Sequence, residues 1–177
     1  MPRQYWNAPL PPLNFASGTA LASSTTLTDV SPTPQVNIAA GLLEPGMLIR
    51  LRAFGVWSNT GTPTLLVGFY YGGVAGVALA ATSALTTASG VTNLPFDMEY
   101  VGRVRTNGSS GTIMGKGHFD FHTTLTAFTV RPIPETTLAT VTIDTTTSKA
   151  LTVGAQWGTS SSSNTLTCHH LDVEIGG

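Results

Sequence analysis

Apolar side chains recur at every second position through short runs of this chain, and the runs end in glycine, proline or threonine clusters. That is the pattern of strands with one buried face. Within residues 49–57, Ile49, Leu51, Ala53 and Trp57 fall on one face and Arg50 and Arg52 on the other, which predicts a half-buried strand. After the Asn59-Thr60-Gly61-Thr62-Pro63 turn, Leu65, Val67, Phe69 and Tyr71 line one face of a second strand, closed by Gly72-Gly73. Residues 77–88 carry the alanines and leucines of a helix, but their threonines favour strand or irregular structure. Met98, Tyr100 and Val104 then form an apolar face opposite Asp97, Glu99, Arg103 and Arg105, and residues 106–111 turn the chain. In the hairpin partner Ile113, Phe119 and Phe121 point inward past Gly115 and Gly117, which mark a bulge or the close crossing of another element. Further strands are predicted near 124–131, 137–144, 150–157 and 165–175, about nine in all.

Nine short strands in this length predict an all-β fold, an antiparallel two-sheet sandwich of the jelly-roll kind. An immunoglobulin-like sandwich needs only ~100 residues and would leave too much chain over. Residues 1–18 stand apart as an extended arm, because Pro2, Pro9, Pro11 and Pro12 exclude a helix. The sandwich domain is expected over residues 19–177. Tyr5, Trp6, Leu10, Leu13 and Phe15 in the arm need a surface to cover them, so they are the candidate partner-binding residues.

Composition turns this fold towards assembly. Only 10% of residues are charged, against roughly 25% in an ordinary soluble domain, and threonine is the commonest residue type. Few lysines guard the sheet edges, and self-association around a symmetry axis would cover them. A net charge of −1 with six scattered arginines leaves no basic field for nucleic acid. The single cysteine, Cys168, excludes an intrachain disulfide. No apolar run reaches the ~18 residues of a membrane span, and the first residues lack the apolar core of a secretory signal, so synthesis in a cytoplasm is expected.

The candidate chemistry is sparse. His118, Asp120 and His122 alternate on one strand face, where histidine and carboxylate at a spacing of two can hold zinc or another divalent ion. A flat strand supplies such ligands without closing a tetrahedral site, so a solvated or interface-facing strand is the ordinary reading and no metal is expected. Cys168, His170, Asp172 and Glu174 share a second face, opposite Leu171, Val173 and Ile175. Asp97 and Glu99 read as cross-strand partners of Arg103 and Arg105 rather than as a hydrolytic carboxylate pair. Gly108-Ser109-Ser110-Gly111 lacks the spacing of a nucleophile elbow, and no lysine follows Gly72-Gly73-Val74-Ala75-Gly76 as a phosphate loop requires. No enzyme activity and no cofactor are expected.

The stretch from Leu42-Leu43-Glu44-Pro45-Gly46-Met47 through Trp57-Ser58-Asn59-Thr60-Gly61, with Leu65-Leu66-Val67-Gly68-Phe69-Tyr70-Tyr71-Gly72-Gly73 and residues 107–115, resembles small Gly/Thr-rich virion proteins of tailed bacteriophages. The resemblance implies a jelly-roll subunit of the capsid decoration or cement type, often trimeric, seated on the outside of the head. The partners it implies are the major capsid protein and further copies of the chain, and the place is the exterior of the virion. The arm would then reach across a neighbouring subunit or the major capsid protein. The alternative is a minor tail or fibre-associated subunit that binds a host-surface glycan, for which Trp57-Ser58-Asn59 and Gln156-Trp157-Gly158 are the candidate sugar platforms.

Overall fold

The structure, a computed structural model, describes residues 15–177. Thirteen strands run through them: Leu21–Ala22 (β1), Thr28–Asp29 (β2), Val36–Ile38 (β3), Leu48–Ser58 (β4), Thr64–Tyr71 (β5), Val77–Ala81 (β6), Leu85–Thr86 (β7), Leu94–Thr106 (β8), Gly111–His122 (β9), Phe128–Ile133 (β10), Val141–Ile143 (β11), Lys149–Trp157 (β12) and Thr165–Gly176 (β13). Residues 77–88, ambiguous in sequence, become β6 and β7, both laid on β5. Residues 124–127 form a turn closed by Thr123 N donating to Ala127 O, so the strand predicted from 124 begins only at Phe128. Among the described residues there is no helix, hence none long and apolar enough to cross a membrane.

One sheet has the order β1-β13-β4-β8-β9-β10, with β11 also on β9; the other has β2-β12-β5-β6, with β3 on β12 and β7 on β5. All these pairings are antiparallel, and the sheets face each other as a sandwich. Consecutive strands β4 and β5 lie in different sheets, as do β12 and β13, whereas β8, β9 and β10 form a meander within one. A jelly-roll order, with consecutive strands alternating between sheets, therefore does not extend through β8–β10.

The alternation sorts side chains as expected. Ile49, Leu51, Ala53 and Trp57 of β4 and Phe96, Met98, Tyr100 and Val104 of β8 are buried, and Phe119 and Phe121 of β9 join them. Trp57 meets Trp157 of the opposite sheet with ring centroids 6.4 Å apart, and Phe121 stands edge-on to Trp57 at 5.9 Å. Gly115 and Gly117 mark a close crossing rather than a bulge. A Cβ on Gly115 would come within 2.5 Å of the Tyr100 ring, and one on Gly117 within 1.7 Å of the Glu99 carbonyl oxygen. The irregular step between β8 and β9 lies instead at Val104/Thr106.

Both ends of the sandwich are tied shut. Gly18 N donates to Cys168 O, while Phe15 N and Ala16 N donate to Thr33 O, so residues 15–18 link the β13 side of one sheet to the edge of the other. On the far side the Glu135 carboxylate accepts from Ser83 N and Oγ and pairs with Arg131.

Cys168 lies in the core, contrary to the face expected for it. Between Cys168 and His170 the register with β4 slips by one residue, so His169 bulges out and the alternation changes phase. Cys168 then faces inward with Leu171, while His170, Asp172 and Glu174 remain outside. Burial pushes its thiol up to about 12. Native protein at pH 8 should react with a disulfide reagent roughly a thousandfold more slowly than a free thiol, the nucleophile being the thiolate. Titration with and without denaturant checks this; rapid native labelling would contradict the packing.

Candidate functional site

The outer face of the β13-β4-β8-β9-β10 sheet gathers most of the chain's charge and several exposed apolar side chains. Register sets its rows. Asp172, Arg52, Glu99, His118 and Pro132 lie across from one another in turn, and so do Glu174, Arg50, Val101 and Lys116. Arg50 Nη1 stands 3.2 Å from Glu174 Oε2 and its Nε 3.6 Å from Glu99 Oε1, so one guanidinium spans three strands. These exposed pairs add ~1 kcal/mol or less each.

The partners of Asp97 and Glu99 differ from the expectation. Arg103 donates to Gly46 O and Arg105 to Met114 Sδ, so neither arginine serves the two carboxylates. Residues two or more apart on the same strand look outward side by side; those that meet come from the adjacent strand. For Asp97 the adjacent residues are Phe54 and Asp120. Partial burial raises the Asp97 carboxyl above its ordinary value, with Asp120 adding to the rise while Arg52, His118 and His122 oppose it.

His118, Asp120 and His122 do share this face, with Phe119 and Phe121 turned inward. His118 Nε2 is 4.0 Å from Asp120 Oδ2, while the His122 ring lies 5.8 Å from that of Phe128. Asp120 Oδ1 and His122 Nδ1 are buried without hydrogen-bond partners. Among the described residues no three His, Cys, Asp or Glu side chains converge as a metal site. His170 stacks on Phe54 at 4.9 Å, and His169 Nδ1 is 2.8 Å from Ser17 Oγ.

Beside His118 a groove of about 490 Å³ opens, a size within the usual range of ligand sites. Glu99, Lys116 and His118 supply its polar atoms, and Val101, Pro132, Pro134 and Leu138 its apolar walls. No periodicity marks it, because one wall is the connection between β10 and β11, which runs beside β9. Phe128 is 60% and Val130 53% exposed on the adjoining strand, and Phe54 is 47% exposed on β4.

Of the arm residues expected to bind a partner, Tyr5, Trp6, Leu10 and Leu13 lie outside the described residues, and Phe15 projects with 87% of its surface exposed. Trp57 and Trp157, the tryptophans of the candidate sugar platforms, are both buried in the core.

The class this architecture defines is a two-sheet antiparallel β-sandwich. Comparison with protein-family models, curated proteins and solved structures found no match to the chain.

A different carboxylate shows how threonines serve this surface. Asp144, at the turn before β12, accepts hydrogen bonds from Thr146 Oγ1 and N and from Thr147 Oγ1, with Lys149 nearby, and its pKa is lowered to about 2. A carboxyl held below its unfolded value stabilises the fold above that unfolded value and loses the contribution as pH falls through the folded one. The Asp144 carboxyl should thus titrate near pH 2 by NMR. Thr146→Ala should move its midpoint upward; an unchanged midpoint would assign the shift elsewhere.

Proposed function

We propose that this chain is a virion structural protein, a capsid decoration or cement subunit that binds the outer surface of a phage head and stabilises it. The observation that carries the reading is the set of exposed large apolar side chains Leu125, Phe128 and Val130 on and beside the edge strand β10, with Phe54 exposed farther in on β4. Buried aromatic and aliphatic anchors dominate interface energies, so exposed side chains of this kind are the ones a partner would cover. The low charge and the resemblance described above support the same reading.

The subunit acts by binding rather than by catalysis. Each seated copy engages the mature lattice, and its binding free energy adds to the stability of that state. The major capsid protein is the partner, further copies of the chain associate with it, and the arm of residues 1–18 is an anchor. The glycan-binding alternative draws less support, since Trp57 and Trp157 sit in the core and leave no aromatic platform at the loops in question.

Purified chain mixed with undecorated heads should bind saturably and raise the temperature at which the shells rupture. No binding at any ratio would overturn the reading.

A further inference from the structure

We propose that β10 pairs edge to edge with the β10 of a second copy of this chain, antiparallel about a two-fold axis at Val130, so that the larger sheets of the two copies join into one.

The edge is open. β10 ends the order of the larger sheet, and among the described residues no strand lies on its side away from β9. The ladder decides which backbone groups face out. Thr123 N donates to Ala127 O at the mouth of the β9–β10 turn, and hydrogen-bonded pairs recur at every second residue of an antiparallel ladder. Thr129, Arg131 and Ile133 are therefore the residues that bond to β9, across from Phe121, Phe119 and Gly117. The N–H and C=O of Phe128 and Val130 and the C=O of Pro132 point the other way. Pro132, which has no N–H, falls where no bond to β9 is lost. An uncovered row of this kind is a template for another strand.

The edge is also poorly guarded. Phe128, Val130 and Pro132 lie across from His122, Asp120 and His118, so their side chains share the outer face, and Phe128 and Val130 are more than half exposed. Arg131, the one charged residue of β10, is paired with Glu135 of its own chain. By contrast β13, which β1 covers only at Thr165 and Leu166, carries Asp172 and Glu174 farther along, and charges of this kind oppose edge pairing.

Self-complementarity singles out a second copy. About an axis at Val130, residues 128–132 of the two copies run past each other in full. Val130 N–H of each copy donates to Val130 C=O of the other, and Phe128 N–H of each donates to Pro132 C=O of the other. Apolar side chains meet apolar ones, because Val130 faces Val130 and Phe128 faces Pro132, while Thr129 faces Arg131. Other registers fit worse. An axis at Thr129 shortens the overlap to residues 128–130 of β10. An axis at Arg131 sets the two arginines opposite each other, which is destabilising, and leaves the Val130 C=O facing the proline nitrogen.

Such an interface is isologous and closes as a dimer. It engages fewer residues than the ~20–30 a side of a standard interface, so a dissociation constant in the micromolar range is expected. The pairing supplies the self-contact named in the proposed function. It needs no phage head, so its test can fail with head binding intact, and the reverse.

Sedimentation velocity on the full-length protein at about 100 µM should show dimer. Val130→Lys, which brings two ammonium groups together at the axis, should weaken association at least about tenfold. Cross-linking reads the register. Opposed Val130 Cα atoms stand ~5.5 Å apart, within disulfide reach, whereas the two Phe128 positions are offset by four residues, ~14 Å. Val130→Cys should therefore form a covalent dimer under copper–phenanthroline oxidation, and Phe128→Cys should do so at least about tenfold more slowly. Wild type is the control, its one cysteine, Cys168, being buried. Thermal midpoints confirm that each variant folds. A wild type that stays monomeric, a Val130→Lys variant that associates like wild type, or a Phe128→Cys variant that cross-links as readily as Val130→Cys overturns the proposal.

Discussion

Trp57→Ala is expected to lower the unfolding free energy by about 3–5 kcal/mol, the range for large aromatic residues deleted from a packed core. The side chain is 1% exposed and joins the two sheets through Trp157, with Phe121 against its edge. The sheets cannot close fully on the gap, because the rest of the buried core between them, Leu51 and Val153 included, keeps them apart. In a domain of this size the thermal midpoint should fall by about 10 °C or more. Its Nε1 has no hydrogen-bond partner, so Trp57→Phe removes volume without stranding a polar partner and should cost about 1–2 kcal/mol. Equal losses for Phe and Ala would contradict this account of the core.

Asn59→Ala should cost about 3 kcal/mol, although the residue sits just past the end of a strand. Asn59 is 4% exposed. Its Nδ2 donates to Thr87 Oγ1 at 2.7 Å and to Ala88 O at 2.6 Å, and its Oδ1 accepts from Val91 N at 3.1 Å. Truncation strands Val91 N–H and Ala88 C=O in the interior, each such group costing about 1–3 kcal/mol. Denaturant unfolding measures the loss. A change under about 0.5 kcal/mol, ordinary for surface sites, would mean that these bonds do not hold the β4–β5 turn to the β7–β8 connection.

The strands that the sequence makes plain are those with one face buried and one wet. In β4, β8 and β9 the period of two is unbroken over most of their length, and Ile49, Met98 and Phe119 fall inside as the pattern requires. Short strands such as β1, β2 and β7 give too few residues to show a period. Strict alternation puts Cys168 on the outer face, but a one-residue bulge inverts the phase, and nothing local in Thr167-Cys168-His169-His170 announces it. Gly55, opposite the bulge, is the trace it leaves, since a Cβ there would come within 2.0 Å of Thr167 O. The outward set of His118, Asp120 and His122 was legible from Phe119 and Phe121. Their true neighbours were not, for Asp97 meets Asp120 and Glu99 meets Arg50 only once register is fixed. The groove depends on the β10–β11 connection running beside β9, a tertiary event without periodicity.

The proposed role in a larger particle accounts for the exposed apolar side chains near β10 and for the low charge of the chain. Quantitative mass spectrometry on separated heads and tails of the source particle, counting copies of this chain in each, tests that most directly. Hundreds of copies in heads is the result expected of a decoration subunit. A handful confined to tails, or absence from both, would contradict it.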